Sequence, residues 1–454
     1  MKVSKCSMKI IIVILTTTYV QFSFAGISPE EAAKLGTTLT GVGAEMPGNK
    51  EGTIPAYEGG LTKSPENFVP GTGVRPDPFA SEKPLFSIGA QNMVQYADKL
   101  TEGTKALMKK HHTFRIDVYK THRTVAHPDF VIRNTAKNAV KAKTANNGLS
   151  LRNARAGYPF PIPRDGYEAM WNHLVRFMGR SIETKFSSYF IDSTGKLINT
   201  VVILMYEEYP YYDADVTRSD ANLYYKARNF FIAPSRIAGQ SVLLLDPINM
   251  YEDGRVAYQY LPGQRRVKLA PEMAFDNPNA ATGGNSIYDE AWCFNGSLER
   301  FDWKIMGKRE IYVPYNAYRT TYRVKCKELM GPKHLNPDLV RWELHRVWVV
   351  DAMLKPEQKH IYPNRRFYLD EDSWAILASD SYDDSGELCK VNFCFQIPNY
   401  EIPSPNSAFT ASYNMISDNY VTHIWPGEDG YVRKTSVASE RASTPAGIIR
   451  DSIR

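Results

Sequence analysis

The sequence predicts a mainly β (α+β) protein built on long antiparallel strands, and three features predict it. Arg341 to Leu354 alternates apolar and polar residues over fourteen positions, the period of a half-buried strand. The next forty residues continue as a meander: strand at Arg365–Leu369, polar turn at Asp370–Ser373, strand at Trp374–Asp380, D-D-S-G turn, strand at 387–395. The chain also carries 28 Tyr, 20 Phe and 7 Trp, side chains that favour pleated, half-buried surfaces.

At 454 residues the length suits one large domain with additions or two domains, and no linker separates two independent cores. Met1–Lys9 is basic, Ile10–Val20 is apolar but too short to span a bilayer, and Ser23-Phe24-Ala25 has the small residues of a signal-peptidase site. Residues 1–25 therefore read as an export signal cleaved after Ala25, which places the mature chain in an oxidising compartment. The leader holds three lysines and no acid, so the formal charge of +6 falls to +3. That mild excess gives no reason to expect nucleic acid as a partner.

Residues 26–90 form an extended N-terminal arm. It opens with a short helix at Ser28–Gly36, capped by Ser28 and Glu31, and continues through a Gly- and Pro-rich stretch. Ile54, Tyr57, Leu61, Phe68 and Phe79 would anchor it to the body. Residues 91–434 form the domain, with helices at 92–110 and 166–178, the second capped by Asp165. Asn134–Asn146 reads as a solvated helix. Hairpins follow at 185–206 and 255–270, with strands at 229–233, 241–245 and 303–314. Residues 275–294 read as irregular. From Pro398 the pattern fades, and 435–454 reads as a frayed tail.

The strand alternation places Trp342, Leu344, Trp348, Val350 and Leu354 on one face, and the same side of the sheet should carry Phe367, Leu369, Trp374 and Ile376. Either a solid core or an apolar cavity would cover them, and periodicity does not choose. Arg341, Glu343, His345 and Asp351 fall on the other face. With His360 they offer acid, base or metal-ligating groups, as an envelope hydrolase would need, but cross-strand ion pairing with Arg365, Arg366, Asp370 and Asp372 explains them more simply. His111, His112 and His122 read as solvated rather than metal-binding. No nucleophile elbow, zincin or phosphate-loop motif is present, so the sequence points to no catalytic residue, metal or cofactor. Cys293, Cys326, Cys389 and Cys394 allow two disulfides in three connectivities, and their spacing selects none.

Seven separated runs carry a resemblance. They are P-D-P-F-A-S-E-K-P-L-F-S-I (76–88), V-Y-K-T-H-R (118–123), P-F-P-I-P-R-D-G-Y-E-A-M-W-N-H (159–173), Y-L-P-G-Q-R-R-V-K (260–268), W-K-I-M-G-K-R-E-I-Y-V-P-Y-N (303–316), H-L-N-P-D-L-V-R-W-E-L-H-R-V-W-V-V (334–350) and R-R-F-Y-L-D-E-D-S-W (365–374). The chain resembles the bacterial domain-of-unknown-function 1329 family. More distantly, it resembles periplasmic lipoprotein-localisation (Lol-type) carriers and outer-membrane lipoprotein-sorting proteins. The resemblance implies a large curved antiparallel sheet, an unclosed β-barrel with covering helices. It also implies a periplasmic, non-enzymatic carrier or chaperone whose cavity takes a lipid or a lipoprotein acyl chain, with transient membrane contact. On that reading the apolar residues named above line the cavity, and Arg265, Arg266 and Lys268 meet a head group at its mouth. A transporter of the resistance-nodulation-division type is the implied partner. The alternative is an adaptor subunit of such a transporter with a filled core.

Overall fold

The computed structural model describes residues 26–452. The signal segment expected at 1–25 lies outside them. Eighteen strands form in chain order. The first ten are β1 Phe86–Ile88, β2 Ile116–Val118, β3 Lys143–Ala145, β4 Ser150–Arg152, β5 Ser181–Ile191, β6 Leu197–Glu208, β7 Leu223–Ala233, β8 Ser241–Pro247, β9 Val256–Leu261 and β10 Arg266–Leu269. The others are β11 Phe301–Pro314, β12 Arg341–Leu354, β13 Asn364–Asp370, β14 Ile376–Tyr382, β15 Leu388–Asn399, β16 Ser404–Asn414, β17 Asn419–Trp425 and β18 Tyr431–Lys434. All but β3 and β4 join one 16-stranded sheet that is not closed into a barrel. It runs β12 to β17 in sequence order and then crosses to β5, continuing in order to β10. β11 flanks β12, and β18 extends the pairing along β5. Pairings are antiparallel except for two residues of β2 beside β12.

Along β12–β17 both faces of this sheet are buried, which corrects the half-buried reading of β12. Along β13, Phe367 and Leu369 enter one core while Tyr368 enters the other. The first core packs the sheet against helices α3 and α4, defined below. The second lies under the arm and α2. There Ile54 is buried and Leu61 and Phe68 pack on the core, Tyr57 donates to the Val125 carbonyl at 3.0 Å, and Phe79 stacks on His122. Arg75 is 2% exposed and donates to Glu401, Tyr322 and the Val432 carbonyl.

Helix α1 is Pro29–Ala32, with the capping box that Ser28 and Glu31 announce. The helix expected at 92–110 is two pieces, a 3₁₀ turn at Met93–Lys99 and α2 at Glu102–Lys110. Thr101 breaks it by accepting from the Thr104 amide and starting a new helix. The solvated helix expected at 134–146 is instead α3, Asp129–Ala139, which buries Val131, Thr135 and Asn138. Helix α4 is Gly166–Leu174, and Asp165 caps it.

The expected fading after Pro398 is also corrected: β16, β17 and β18 follow. Their inward residues include Ser407, Thr410 and Ser412, polar yet at most 4% exposed, so no apolar alternation marks them. The tail is ordered as well. Pro445–Ser452 is a helix whose buried Ile448 packs with Leu243 and Tyr260. Among the described residues no helix is long and apolar enough to cross a membrane.

Candidate functional site

The tryptophan-rich half of the sheet is solid. Trp374 is fully buried, stacks 6.2 Å from Trp348 and donates its indole N–H to the Val42 carbonyl. Phe367 and Ile376 are also inaccessible, packed with Phe294 and Trp303. The expected single apolar face of β12 is divided. Val350, Trp348 and Leu354 join the first core with Leu369, whereas Trp342 and Leu344 lie in the second, with Trp342 edge-on to Phe393. The chain supplies helices or arm to both faces, so apolar positions of both parities find cover.

The apolar hollow lies at the other end of the sheet. A cavity of about 150 Å³ opens between β5–β9 and the irregular segment 271–300. Its floor is Phe186, Ile203, Met205, Phe231, Val242 and Leu244. Its roof is Met273, Ala281, Tyr288, Ala291 and Trp292. The alternation of β6 and β7 turns these side chains inward, and short 3₁₀ turns at Ala280–Thr282 and Tyr288–Cys293 shape the roof. Polar groups share the wall, among them Asn229, Gln240, Arg255, Gln259 and Asn295. The Asn229 side-chain amide oxygen is buried without a hydrogen-bond partner among the described residues. Burial lowers His423 to about 4, so its ring is neutral and bonded to the Ser188 hydroxyl at 2.8 Å. Arg236, exposed at the rim, pairs with no carboxylate among the described residues. Arg265, Arg266 and Lys268 do not line this cavity. They sit on the β9–β10 hairpin, where Lys268 pairs with Glu272 at 3.1 Å. Sequence reading passed over Arg236 because it stands alone in a loop.

The cover, residues 271–300, is pinned by one buried charge pair. Asp289 on the cover accepts from Arg365 Nη1 at 3.0 and 3.1 Å and meets His360 at 3.1 Å. Burial alone would raise the Asp289 carboxyl, but the Arg365 charge and these hydrogen bonds hold it below its ordinary value. Arg365 is enclosed by Phe294, Phe301, Tyr362 and Phe367, with ring centroids 4.9 to 6.0 Å from its guanidinium carbon. Thr200 donates to the Ala281 carbonyl, Lys390 to that of Asn285, and Arg255 to that of Asn295. At the cover's inner tip, Trp292 and Cys293 take positive φ of 50° and 67°, a conformation costing about 1–2 kcal/mol per non-glycine residue.

The polar residues of β12 do not build a cleft. Glu343 and His345 meet at 3.1 Å but are sealed, 0% and 1% exposed, under the 119–124 segment, whose His122 amide donates to Glu343. Asp351 lies apart and pairs with Arg366 at 2.6 and 2.7 Å. His345, Asp370 and Asp372 come close enough for a shared ion. Asp372, however, is already held by both forks of Arg123 at 2.7 and 2.9 Å, and Asp370 by the Tyr315 and Ser373 hydroxyls. Burial and the Asp372 charge raise Asp370 to about 7. The set is a hydrogen-bonded lock between the 119–124 segment and the β13–β14 turn. His111 pairs with Asp418 and His122 with Glu82. A larger groove of about 910 Å³ lies beside the arm. It is open, some of its charges are paired, as Arg115 is with Asp117 and Asp338, and its wall also carries Val74, Tyr318, Tyr322, Val324 and Leu339.

Cys293 and Cys394 are both inaccessible and meet in the first core, while Cys326 and Cys389 lie elsewhere, Cys389 bonded to the Ser381 carbonyl at 3.3 Å.

Comparison with known proteins places residues 87–447 in the family described as "Protein of unknown function (DUF1329)". The chain is 38% identical over 442 residues to the uncharacterized protein PA3922 of Pseudomonas aeruginosa, covering 95% of each. Among solved structures it is similar to a putative outer membrane lipoprotein-sorting protein domain from Vibrio parahaemolyticus, at 13% identity and TM-score 0.43, covering 63% of this chain and 98% of that one. It is also similar to a DUF1329 family protein from Desulfovibrio piger, at 11% identity and TM-score 0.41, covering 60% and 92%.

Proposed function

The chain belongs to the DUF1329 family, and from that premise we propose that it is an exported, periplasmic carrier that lodges an apolar ligand, a lipid or acyl chain, between β5–β9 and the 271–300 cover. The observation that carries this reading is the cavity itself, walled by Phe186, Ile203, Met205, Phe231 and Val242 and closed by a segment without regular strand pairing. Small-molecule sites commonly measure about 300–1,000 Å³, and a cavity of about 150 Å³ accepts a benzene-sized group. A whole hydrocarbon chain therefore enters only if the cover lifts. Each methylene buried contributes about 0.8 kcal/mol, so affinity comes from chain length with little polar selection. Arg236 at the rim, which pairs with no carboxylate among the described residues, supports an anionic head group.

Organic extraction of the purified protein followed by mass spectrometry, with titration of a fluorescent fatty acid, tests the reading. Recovery of lipid and saturable binding support it. An empty extract together with no fatty-acid binding refutes it.

A further inference from the structure

The roof of the cavity and the inner face of the sheet each bring one buried thiol to the same point. Cys293 ends the Tyr288–Cys293 turn of the cover, which packs across β14, β15 and β16. Cys394 points inward from the middle of β15, opposite Thr410 of β16. Both are 0% exposed and belong to one buried cluster, where the turn carrying Cys293 packs against β15. They are 101 positions apart in sequence and lie on different elements. A bond between them would cross-link cover to sheet rather than staple a local turn. The other two cysteines have no such neighbour: Cys326 lies beside Tyr189, and Cys389 sits with Ile287 and Tyr362.

We propose that Cys293 and Cys394 form a disulfide that latches the cover over the apolar cavity, and that Cys326 and Cys389 stay reduced. The oxidant is an external disulfide acting by thiol–disulfide exchange. With the cover lifted, one thiolate attacks the donor disulfide, forming a mixed disulfide and releasing one donor thiol. Closure brings the second thiol to the mixed disulfide. Its attack forms the Cys293–Cys394 bond and expels the second donor thiol, so two protons and two electrons leave the protein in all. With the cover down, burial raises the Cys293 thiol well above its ordinary value and excludes reagents, so the first exchange, with the external donor, takes place only in the open state. Closing a loop of this length stabilises the joined state by several-fold to several-hundred-fold in the opening equilibrium. The gating consequence rests on the carrier reading, whereas the cross-link itself does not.

The full mature chain is incubated with oxidised glutathione, alkylated, digested without reduction and mapped by mass spectrometry. The expected product is one linked pair, the Cys293 and Cys394 peptides, with Cys326 and Cys389 alkylated. Hydrogen exchange across 271–300 is expected to slow by about tenfold or more relative to the same protein treated with dithiothreitol, and uptake of a fluorescent fatty acid by a similar factor. No such cross-link, a different pairing, or equal exchange in the two redox states overturns the latch. A linked protein with slowed exchange that binds fatty acid in neither state upholds the latch and refutes the carrier reading. The comparison uses one chain in two redox states, so it does not depend on a cysteine variant folding.

Discussion

Replacing Asp289 by Asn is the sharpest test of how the cover is held. Asp289 and Arg365 side chains are 3% and 0% exposed, and Asp289 is the one carboxylate that bonds Arg365 among the described residues. The nearby Glu290 gives one oxygen to the Ile287 amide at 3.0 Å, and its other oxygen has no hydrogen-bond partner among the described residues, Arg365 included. The amide keeps the shape and one acceptor oxygen but removes the charge, leaving Arg365 buried among four aromatic rings. Breaking a buried pair by removing one partner costs about 3–5 kcal/mol, and the retained acceptor puts Asp289→Asn near the lower end, about 3 kcal/mol. The loss falls first on the cover, so hydrogen exchange across 271–300 should accelerate by roughly two orders of magnitude, since 1.4 kcal/mol is about tenfold. The double variant Asp289→Asn with Arg365→Met should recover most of it, because a flexible apolar side chain suits the Phe294, Phe301 and Phe367 box. A single variant within about 0.5 kcal/mol of the parent, with unchanged exchange in the cover, would refute the pinning argument.

Other outcomes follow from the same geometry. Ala281→Phe puts a ring into the cavity from the roof; fatty-acid binding should be lost while stability falls by only about 1–3 kcal/mol, as circular dichroism melting would show. Arg236→Glu should weaken an anionic fatty acid by about 1 kcal/mol, roughly fivefold, and leave its neutral methyl ester unchanged in competition titrations. Asp289 contributes stability that is complete above the unfolded carboxylate value of about 4 and is lost as pH falls through its lowered folded value. Asp380 and Glu207 act in reverse, because burial raises both to about 7. The folded chain keeps protons that the unfolded chain releases, so their contribution is whole below pH about 4 and is lost as pH rises toward about 7. Melting temperature against pH should therefore fall on both sides, and Asp380→Asn should flatten the fall between about pH 4 and 7.

The long strands were legible because one residue in two along them is large and apolar, as in Ile203, Met205, Phe367 and Leu369, and turns such as Asp383–Gly386 punctuate them. Periodicity reports side-chain direction without saying what covers each face. That is why Glu343 and His345 read as the polar face of a half-buried strand and are in fact sealed beneath the 119–124 segment. It is also why β16 and β17 went unrecognised: their inward serines and threonines look like a surface. The site was legible only in outline. An apolar cavity was expected beside the tryptophans, but Trp348, Trp374 and Phe367 fill their own space, and the hollow lies where shorter side chains of β6–β8 face an irregular roof. The meeting of Cys293 with Cys394, or of Asp289 with Arg365, is set by long-range folding, and no local spacing encodes it.

The most direct measurement is photolabelling with a diazirine-bearing fatty acid, followed by peptide mapping. The expected labels fall on the floor and roof together, on β6–β8 peptides containing Met205, Phe231 and Val242 and on cover peptides containing Met273 or Trp292. Labelling confined to the Trp342–Trp374 region or to the arm groove, or none at all, would contradict the account.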